Sequence, residues 1–479
     1  MKNRLMLITI VLFAAIALGG MIQGSGATSG KAATVTLDPL LEQVMETAAE
    51  PVEVIVSFRG VKNIGANQQS LLTGLGIEKG ILFQSLPIAG VVATKDQIEK
   101  LAQSEQVLSI YLNKELRYEN DSSTDLTGVD AVRTSEEMRK LNGGLPVSGK
   151  GIGVVINDSG VDGTHKDIAY GDHLVQNVLG STNLHAIDSL LPMTYIENVP
   201  NSDSNSGHGT HVAGIVGGNG AMSGGKYEGV APGASLIGYG SGAALAMLDT
   251  IGGFDYALTH QHDYNIRVIT NSWGDTSEAG LPFDPLHPIN IATKKLYDRG
   301  IITVFSAGNS GPGEKTISGN YKKAPWVITV AAGDKEGKLA DFSSRGERDK
   351  RGTFIIDGEQ WAWEDRPTVT SPGVDIISTR VISPVASLGA TKDVQYIDPA
   401  YLPYYTTMSG TSMAAPHVAG VVALVLDANP LLSPKEVKEI VQSTATAMPG
   451  YEPWEAGAGY VNAYSAVEKA FKVAKGGQK

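Results

Sequence analysis

Four short stretches carry side chains able to do chemistry. Asn157-Asp158-Ser159-Gly160 puts a carboxylate directly after the apolar run Val154-Val155-Ile156. Gly207-His208-Gly209-Thr210-His211-Val212-Ala213-Gly214 holds two histidines among small residues, and Gly410-Thr411-Ser412-Met413-Ala414-Ala415-Pro416-His417 sets a serine where a helix begins. Ser306-Ala307-Gly308-Asn309-Ser310 adds an amide after the run 301–305. A serine hydroxyl is a weak nucleophile until a base takes its proton. A histidine is the usual base, and a buried carboxylate fixes its tautomer and stabilises the imidazolium. Asp158, His208 and Ser412 supply these three groups. The backbone N–H of Ser412, at the positive end of a helix dipole, suits an oxyanion, and Asn309 is a second donor. Each stretch alone has a plainer reading. Asp-x-Gly after a strand is commonly a turn, His208 and His211 stand one helical turn apart as metal ligands would, and Ser412 is an acceptable N-cap. The combination is what these plainer readings leave unexplained.

The elements that position these groups follow from pattern. Largely apolar or β-branched runs at 152–156, 267–270, 301–305 and 326–330 fit strands buried on both faces of a parallel sheet. Helical stretches at 249–261 and 287–299 fall between them, so the class is α/β. In such sheets sites form at the carboxyl ends of strands, where Asp158 stands. Ser433-Pro434-Lys435-Glu436 is a capping box opening a helix through about Ser443. Upstream, residues 31–120 read as a small α+β unit, with strands at 52–58, 88–94 and 107–112 and an amphipathic helix at 95–103. Residues 119–124 are polar and turn-prone and read as a linker. Residues 121–148 then make up the linker and the start of the enzyme proper.

The 479 residues, 42% hydrophobic and 18% charged, exceed the needs of one ordinary domain and can bury a full core. A net charge of −12 argues against a nucleic-acid partner. No cysteine is present, which excludes disulfides, thiolate nucleophiles and Cys-based zinc sites. Lys2 and Arg4, the uncharged apolar run 5–18 and the small residues Gly24-Ser25-Gly26-Ala27 have the layout of a cleaved signal peptide over 1–27. The apolar stretch extends to Ile22, as a retained anchor would, but Gly19-Gly20 interrupts it. The reading is export to the extracellular space, with a membrane met only in transit and no later stretch suited to span one.

The four motifs resemble those of the subtilisin-like serine proteases, in the chain order Asp, His, Ser of that family. The resemblance covers roughly residues 149–471 and implies a subtilisin-like parallel sheet with helices on both faces. It implies catalytic roles for Asp158, His208, Ser412 and Asn309. Ser272, Trp273 and Gly274 match the segment that pairs with an extended substrate, and Gly240, Ser241 and Gly242 match the opposite wall. Ala307, Gly308 and Gly319 would line the primary specificity pocket. Ser310 is not an acid, so nothing there selects basic side chains. The unit 31–120 resembles the family's inhibitory propeptide, an intramolecular chaperone and inhibitor removed on maturation, with the cut expected at 117–127. The enzyme proper is then 149–479, and its substrates polypeptides.

Departures from the family pattern are specific. Residues 347–365 are extra, and their Asp357-Gly358 reads as a hairpin turn. Asp167 matches a family calcium ligand, yet 218–227 lacks the usual calcium-loop pattern. No cofactor is needed for the chemistry, and structural calcium is left open. Asp162, Asp167, Asp203 and Asn205 are oxygen ligands for it, or else solvated loop residues. An α/β-hydrolase esterase would need Gly-x-Ser-x-Gly and the order Ser, Asp, His; here the fifth position is Ala414 and the serine comes last. A non-catalytic peptide-binding module on the same fold is the rival of another class, and it would have to lack one of the four residues that are present.

Overall fold

The structure, a computed structural model, describes residues 35–47, 50–61, 64–78, 80–82, 87–112, 121–180, 195–204, 206–241, 247–381 and 390–476. The signal segment 1–27, Asn205, Gly242 and the tail 113–120 lie outside them. The chain divides into two compact units, 1–117 and 118–479.

The first unit runs β1 (Thr36–Leu37), α1 (Pro39–Thr47), β2 (Val52–Phe58), α2 (Ala66–Gly74), β3 (Gly80–Leu82), β4 (Ile88–Ala93), α3 (Lys95–Ala102) and β5 (Val107–Leu112). Its sheet has the order β1-β5-β2-β4-β3, with β2 antiparallel to both neighbours. The period of two works as expected. Val54, Val56 and Phe58 of β2 and Ala89, Val91 and Ala93 of β4 are buried, while Glu53 and Val92 face out. Thr94 and Gln97 cap α3 reciprocally, the Thr94 N–H donating to Gln97 Oε1 at 2.8 Å, and Ile98 and Leu101 are buried beneath it.

The second unit opens with α4 (Asp121–Leu126), α5 (Val129–Thr134) and α6 (Glu136–Leu141). From Asp121 on, the stretch expected to be turn-prone is helical. Composition there is turn-prone, but tertiary contacts hold the helices: Val129, Val132 and Met138 enter the main core, Thr127 Oγ1 lies 3.0 Å from His417 Nε2, and the Ala463 N–H donates to the Thr127 carbonyl.

The parallel sheet follows. Its first elements are β6 (Gly153–Asp158), β7 (Leu174–Leu179), α7 (His208–Gly217), β8 (Ser235–Gly240), α8 (Met247–Thr259), β9 (Ile266–Asn271), α9 (Pro288–Asp298), β10 (Ile302–Ser306) and β11 (Val327–Gly333). A hairpin of β12 (Arg351–Ile356) and β13 (Glu359–Glu364) precedes β14 (Val369–Pro372), β15 (Ile376–Thr379), α10 (Ala390–Tyr396) and β16 (Tyr405–Met408). The chain finishes with α11 (Thr411–Ala428), α12 (Pro434–Ser443), α13 (Pro453–Ala456) and α14 (Ala463–Gly476). The sheet order is β14-β11-β10-β9-β6-β8-β7, parallel throughout.

Alternate residues of each strand serve two cores. Val154 and Ile156 pack with Val304, Val330 and the inner faces of α7 and α11. Val155 packs with Phe305, Val327 and residues of α8 and α9 on the opposite face. This is why the strands read as continuous apolar runs. The helix α11 is long and apolar enough to cross a membrane, unlike the expectation for the later chain, but 89% of it is buried inside the protein. The hairpin forms as its Asp-Gly signal required, with φ of 54° at Asp357 and 80° at Gly358.

Strand order sets where a site can be. From β6 the chain builds β7 and β8 to one side and β9, β10, β11 and β14 to the other. The strand order therefore reverses at β6, and the carboxyl end of that strand is where an open α/β sheet places its site.

Candidate active site

Asp158 is the last residue of β6 and is 1% exposed. Its Oδ1 accepts from the Ser159 N–H at 2.8 Å and lies 2.6 Å from His208 Nδ1. A carboxylate accepts, so that contact puts the proton on Nδ1 and leaves Nε2 as the acceptor. The imidazole is 29% exposed. Burial pushes its pKa down, but the charge of Asp158, the hydrogen bond to it and the charge of Asp203 together hold it above the ordinary value.

His208 is the first residue of α7, and the start of that helix is tightly held. Asp203 is fully buried and accepts from the Gly207 N–H (2.9 Å), the Thr210 N–H (3.1 Å), the Thr210 hydroxyl (2.6 Å) and the Ser159 hydroxyl (3.2 Å). A negative charge on free N–H groups at a helix start is doubly favoured. Ser159 Oγ in turn accepts from the Gly209 N–H at 2.9 Å. A Cβ at Gly209 would lie 2.1 Å from the Gly160 carbonyl, so only glycine lets α7 come this close to the end of β6. Motif reading did not single out these roles of Ser159 and Asp203; the polar residue beside Asp158 was the available signal.

His211 does not join His208. Its Nε2 donates to the carbonyls of Ile376 and Thr406 at 3.1 and 3.0 Å, and burial pushes its pKa down to about 3. It is a neutral peg between α7 and the β15–β16 pair, not a metal ligand.

Ser412 stands in the first turn of α11, half-buried. Its hydroxyl donates to the Ser272 carbonyl at 3.1 Å, and the Ser272 hydroxyl donates back to the Ser412 carbonyl at 2.8 Å. Asn309 follows β10. Its Oδ1 accepts from both the N–H and the hydroxyl of Thr411, each at 2.9 Å, which leaves Nδ2 pointing away as a donor. A Cβ built on Gly410 would be 3.3 Å from Asn309 Nδ2 and 3.6 Å from Ser412 N. The Asn309 side chain and the Ser412 backbone nitrogen thus both lie close to Gly410.

The other expected residues distribute unevenly. Residues 272–275 follow β9 outside any ladder. Ser272 faces Ser412, whereas the Trp273 indole donates to the Asn157 carbonyl at 2.9 Å. Gly308 N donates to Thr411 Oγ1 at 3.0 Å, and the Ala307 carbonyl accepts from the Ser318 N–H at 3.1 Å. Gly319 turns toward the Tyr321 ring. Gly240 pairs with Asp158 in the ladder, and the Ser241 N–H donates to the Asp158 carbonyl at 3.0 Å, so these two brace β6.

The acidic residues considered for calcium are not solvated: Asp162, Asp167 and Asp203 are all fully buried. Asp167 accepts from the Met222 N–H (2.8 Å) on one oxygen and from the Tyr405 hydroxyl (2.6 Å) on the other. Asp203 caps α7, and Asp162 Oδ1 accepts from the Thr164 N–H and hydroxyl. These carboxylates serve hydrogen bonds within the protein, and among the described residues no group of three His, Asp or Glu side chains is placed to hold a cation.

A histidine held by a buried carboxylate at the sheet's switch point, and a serine in the first turn of a helix, are the groups that a serine hydrolase uses for acyl transfer. The profile of the subtilase family matches residues 149–462. The chain is 32% identical over 387 residues to the serine protease AprX of Bacillus subtilis (strain 168), covering 77% of this chain and 76% of that one. It is 31% identical over 305 residues to subtilisin DY of Bacillus licheniformis, covering 62% and 85% respectively. Among solved structures, sphericase superposes with a TM-score of 0.50 at 26% identity, over 70% of this chain and 97% of that one. The chain belongs to the subtilase family. It is a serine endopeptidase of subtilisin-like fold that acts on polypeptides and needs no cofactor for its chemistry.

Proposed function

We propose that Asp158, His208 and Ser412 are the catalytic triad, and that Asn309 Nδ2 and the Ser412 N–H form the oxyanion hole. His208 Nε2 takes the Ser412 proton as Oγ bonds to the substrate carbonyl carbon. The oxygen becomes an anion held by the two donors, and His208 returns the proton to the leaving amine as the C–N bond breaks. Water then repeats the sequence on the acyl-enzyme, giving up its proton to His208 and releasing the acid. Asp158 stays ionised and steadies the imidazolium. The 2.6 Å Asp158–His208 contact at the start of α7 carries this reading. Ser272, Trp273 and Gly274 form one side of the peptide cleft, with Gly240 and Ser241 opposite and Ala307, Gly308 and Gly319 around the primary pocket.

The reading extends to biosynthesis. The enzyme is exported by a signal peptide over 1–27 and released extracellularly. Residues 31–120 are its inhibitory propeptide, and the mature enzyme includes 149–479. The maturation cut falls at or before Asp121, because beyond it α4 is helical and Thr127 is pinned, while proteolysis needs an extended chain. The test is cleavage of a fluorogenic peptide by purified protein: wild type turns over and is silenced by a serine-directed inhibitor, and Ser412→Ala is inactive. Near wild-type turnover in Ser412→Ala overturns the triad.

A further inference from the structure

Two lysines stand side by side in the segment after Gly319, and both are almost wholly buried, Lys322 at 2% and Lys323 at 3%. Lys323 is explained: its Nζ pairs with Asp365 at 2.8 Å and donates to the Leu281 carbonyl at 2.6 Å. Lys322 is not. Its Nζ donates to Ser318 Oγ at 3.0 Å, and among the described residues no carboxylate pairs with it. An ammonium has three donors, and burying one without a counter-ion is costly.

The place of this amine is specific. A Cβ built on Gly274 would lie 2.4 Å from Lys322 Nζ and 2.5 Å from Ser318 Oγ. A Cβ built on Gly308 would lie 2.6 Å from the same Ser318 Oγ. Gly274 and Gly308 belong to the two segments that flank Ser412, one following Ser272 and the other preceding Asn309. Gly274 is itself exposed. The side-chain directions of both glycines therefore meet one polar floor, the Ser318 hydroxyl and the Lys322 amine, which stands so close behind the two backbones that only glycine fits at either position.

We propose that Lys322, with Ser318, forms the floor of the primary specificity pocket and selects substrates with an acidic side chain, glutamate or aspartate, on the acyl side of the scissile bond. The proposal rests on the triad reading and on the pocket walls assigned with it. A carboxylate entering between Gly274 and Gly308 supplies the counter-ion that Lys322 lacks and takes up its unused donors. A basic side chain would meet a like charge, and an apolar one would leave the amine unpaired. Burial alone lowers the Lys322 pKa to about 7, with no acidic neighbour to oppose it, so a bound carboxylate also restores the charge that burial disfavours.

The test uses four peptides identical except for Glu, Gln, Leu or Lys at that position, assayed with the purified enzyme, Lys322→Met, Lys322→Arg and Ser412→Ala. Wild type is expected to favour Glu over Gln and Leu by at least about tenfold in kcat/KM, with Lys cleaved slowest. Lys322→Met should reverse the order, the Leu peptide gaining as the Glu peptide falls, and Lys322→Arg should keep Glu ahead of Gln. The wild-type profile decides even where a variant does not fold. Leu or Lys cleaved as fast as Glu by wild type, with Ser412→Ala inactive, overturns the pocket proposal and leaves the triad standing. Glu cleavage that survives Ser412→Ala overturns the triad instead.

Discussion

The hydroxyl of Thr411 and the side-chain oxygen of Asn309 are joined at 2.9 Å, and the Thr411 N–H reaches that same oxygen at 2.9 Å. Both acceptor sites of the amide are thus filled by the residue just before Ser412. Asn309 cannot flip without breaking two hydrogen bonds, so its Nδ2 is kept as the free donor end of the amide. The Thr411 hydroxyl also accepts from Gly308 N, tying the loop after β10 to the start of α11.

This predicts a graded pair of variants. Asn309→Ala should lower kcat by about 10²–10³ with KM little changed, the loss that removing one such donor causes in subtilisin. Thr411→Val keeps the backbone donor and removes the hydroxyl, so it should lower kcat by less, again with KM nearly constant. Steady-state kinetics on one peptide check both, and a change confined to KM would make Asn309 a substrate contact.

The pH profile follows from the Asp158–His208 contact. A base must be neutral, and this imidazole is held above its ordinary value of about 6.5. The acid limb of kcat/KM should therefore lie above about 6.5, higher than free imidazole would give. Asp158→Asn removes the opposing charge, so the residual activity should fall by about 10⁴ in kcat and its acid limb should move down in pH. The linked stability has the same sign: a raised histidine stabilises the fold below its unfolded value and loses that contribution as pH rises through the folded one. An acid limb that does not move in Asp158→Asn would contradict this.

Maturation gives a readout by mass. Secreted wild type should lack the first unit and begin at or before Asp121, while Ser412→Ala should keep residues 31–120. The excised unit should inhibit in trans more weakly than when tethered, since it loses the effective concentration of its linkage. Intact-mass measurement decides, and an N-terminus inside α4 or an unprocessed wild type would contradict the assignment.

The extra hairpin is bound to the catalytic unit through charge. The side chains of Lys323 and Asp365 are 1% and 2% exposed and 2.8 Å apart. Burial raises the Asp365 pKa despite the lysine beside it, as expected where desolvation rivals attraction. Asp365→Ala leaves Lys323 buried and alone and should cost about 3–5 kcal/mol in denaturant unfolding, whereas Lys323→Met with Asp365→Ala should recover most of the loss.

What the sequence determined by itself is local and repetitive. The runs of β6, β9, β10 and β11 could be read because strands buried on both faces leave no polar alternation, and the Asp357-Gly358 turn because few residues adopt its backbone. Asp158, His208, Asn309 and Ser412 were legible as motifs because their chemistry needs fixed neighbours within a few residues. Tertiary structure decided the rest. The helix α4 forms in a stretch of turn-prone composition because Thr127 and Val129 are held from elements almost 300 positions away in sequence, His417 among them. That Asp167 accepts from Tyr405 with one oxygen and from Met222 with the other was not legible either, since both partners are remote in sequence. Lys322 carries no motif at all. Its meaning lies in the two glycines it faces and the carboxylate it lacks, and such relations between distant residues exist only once the chain has folded.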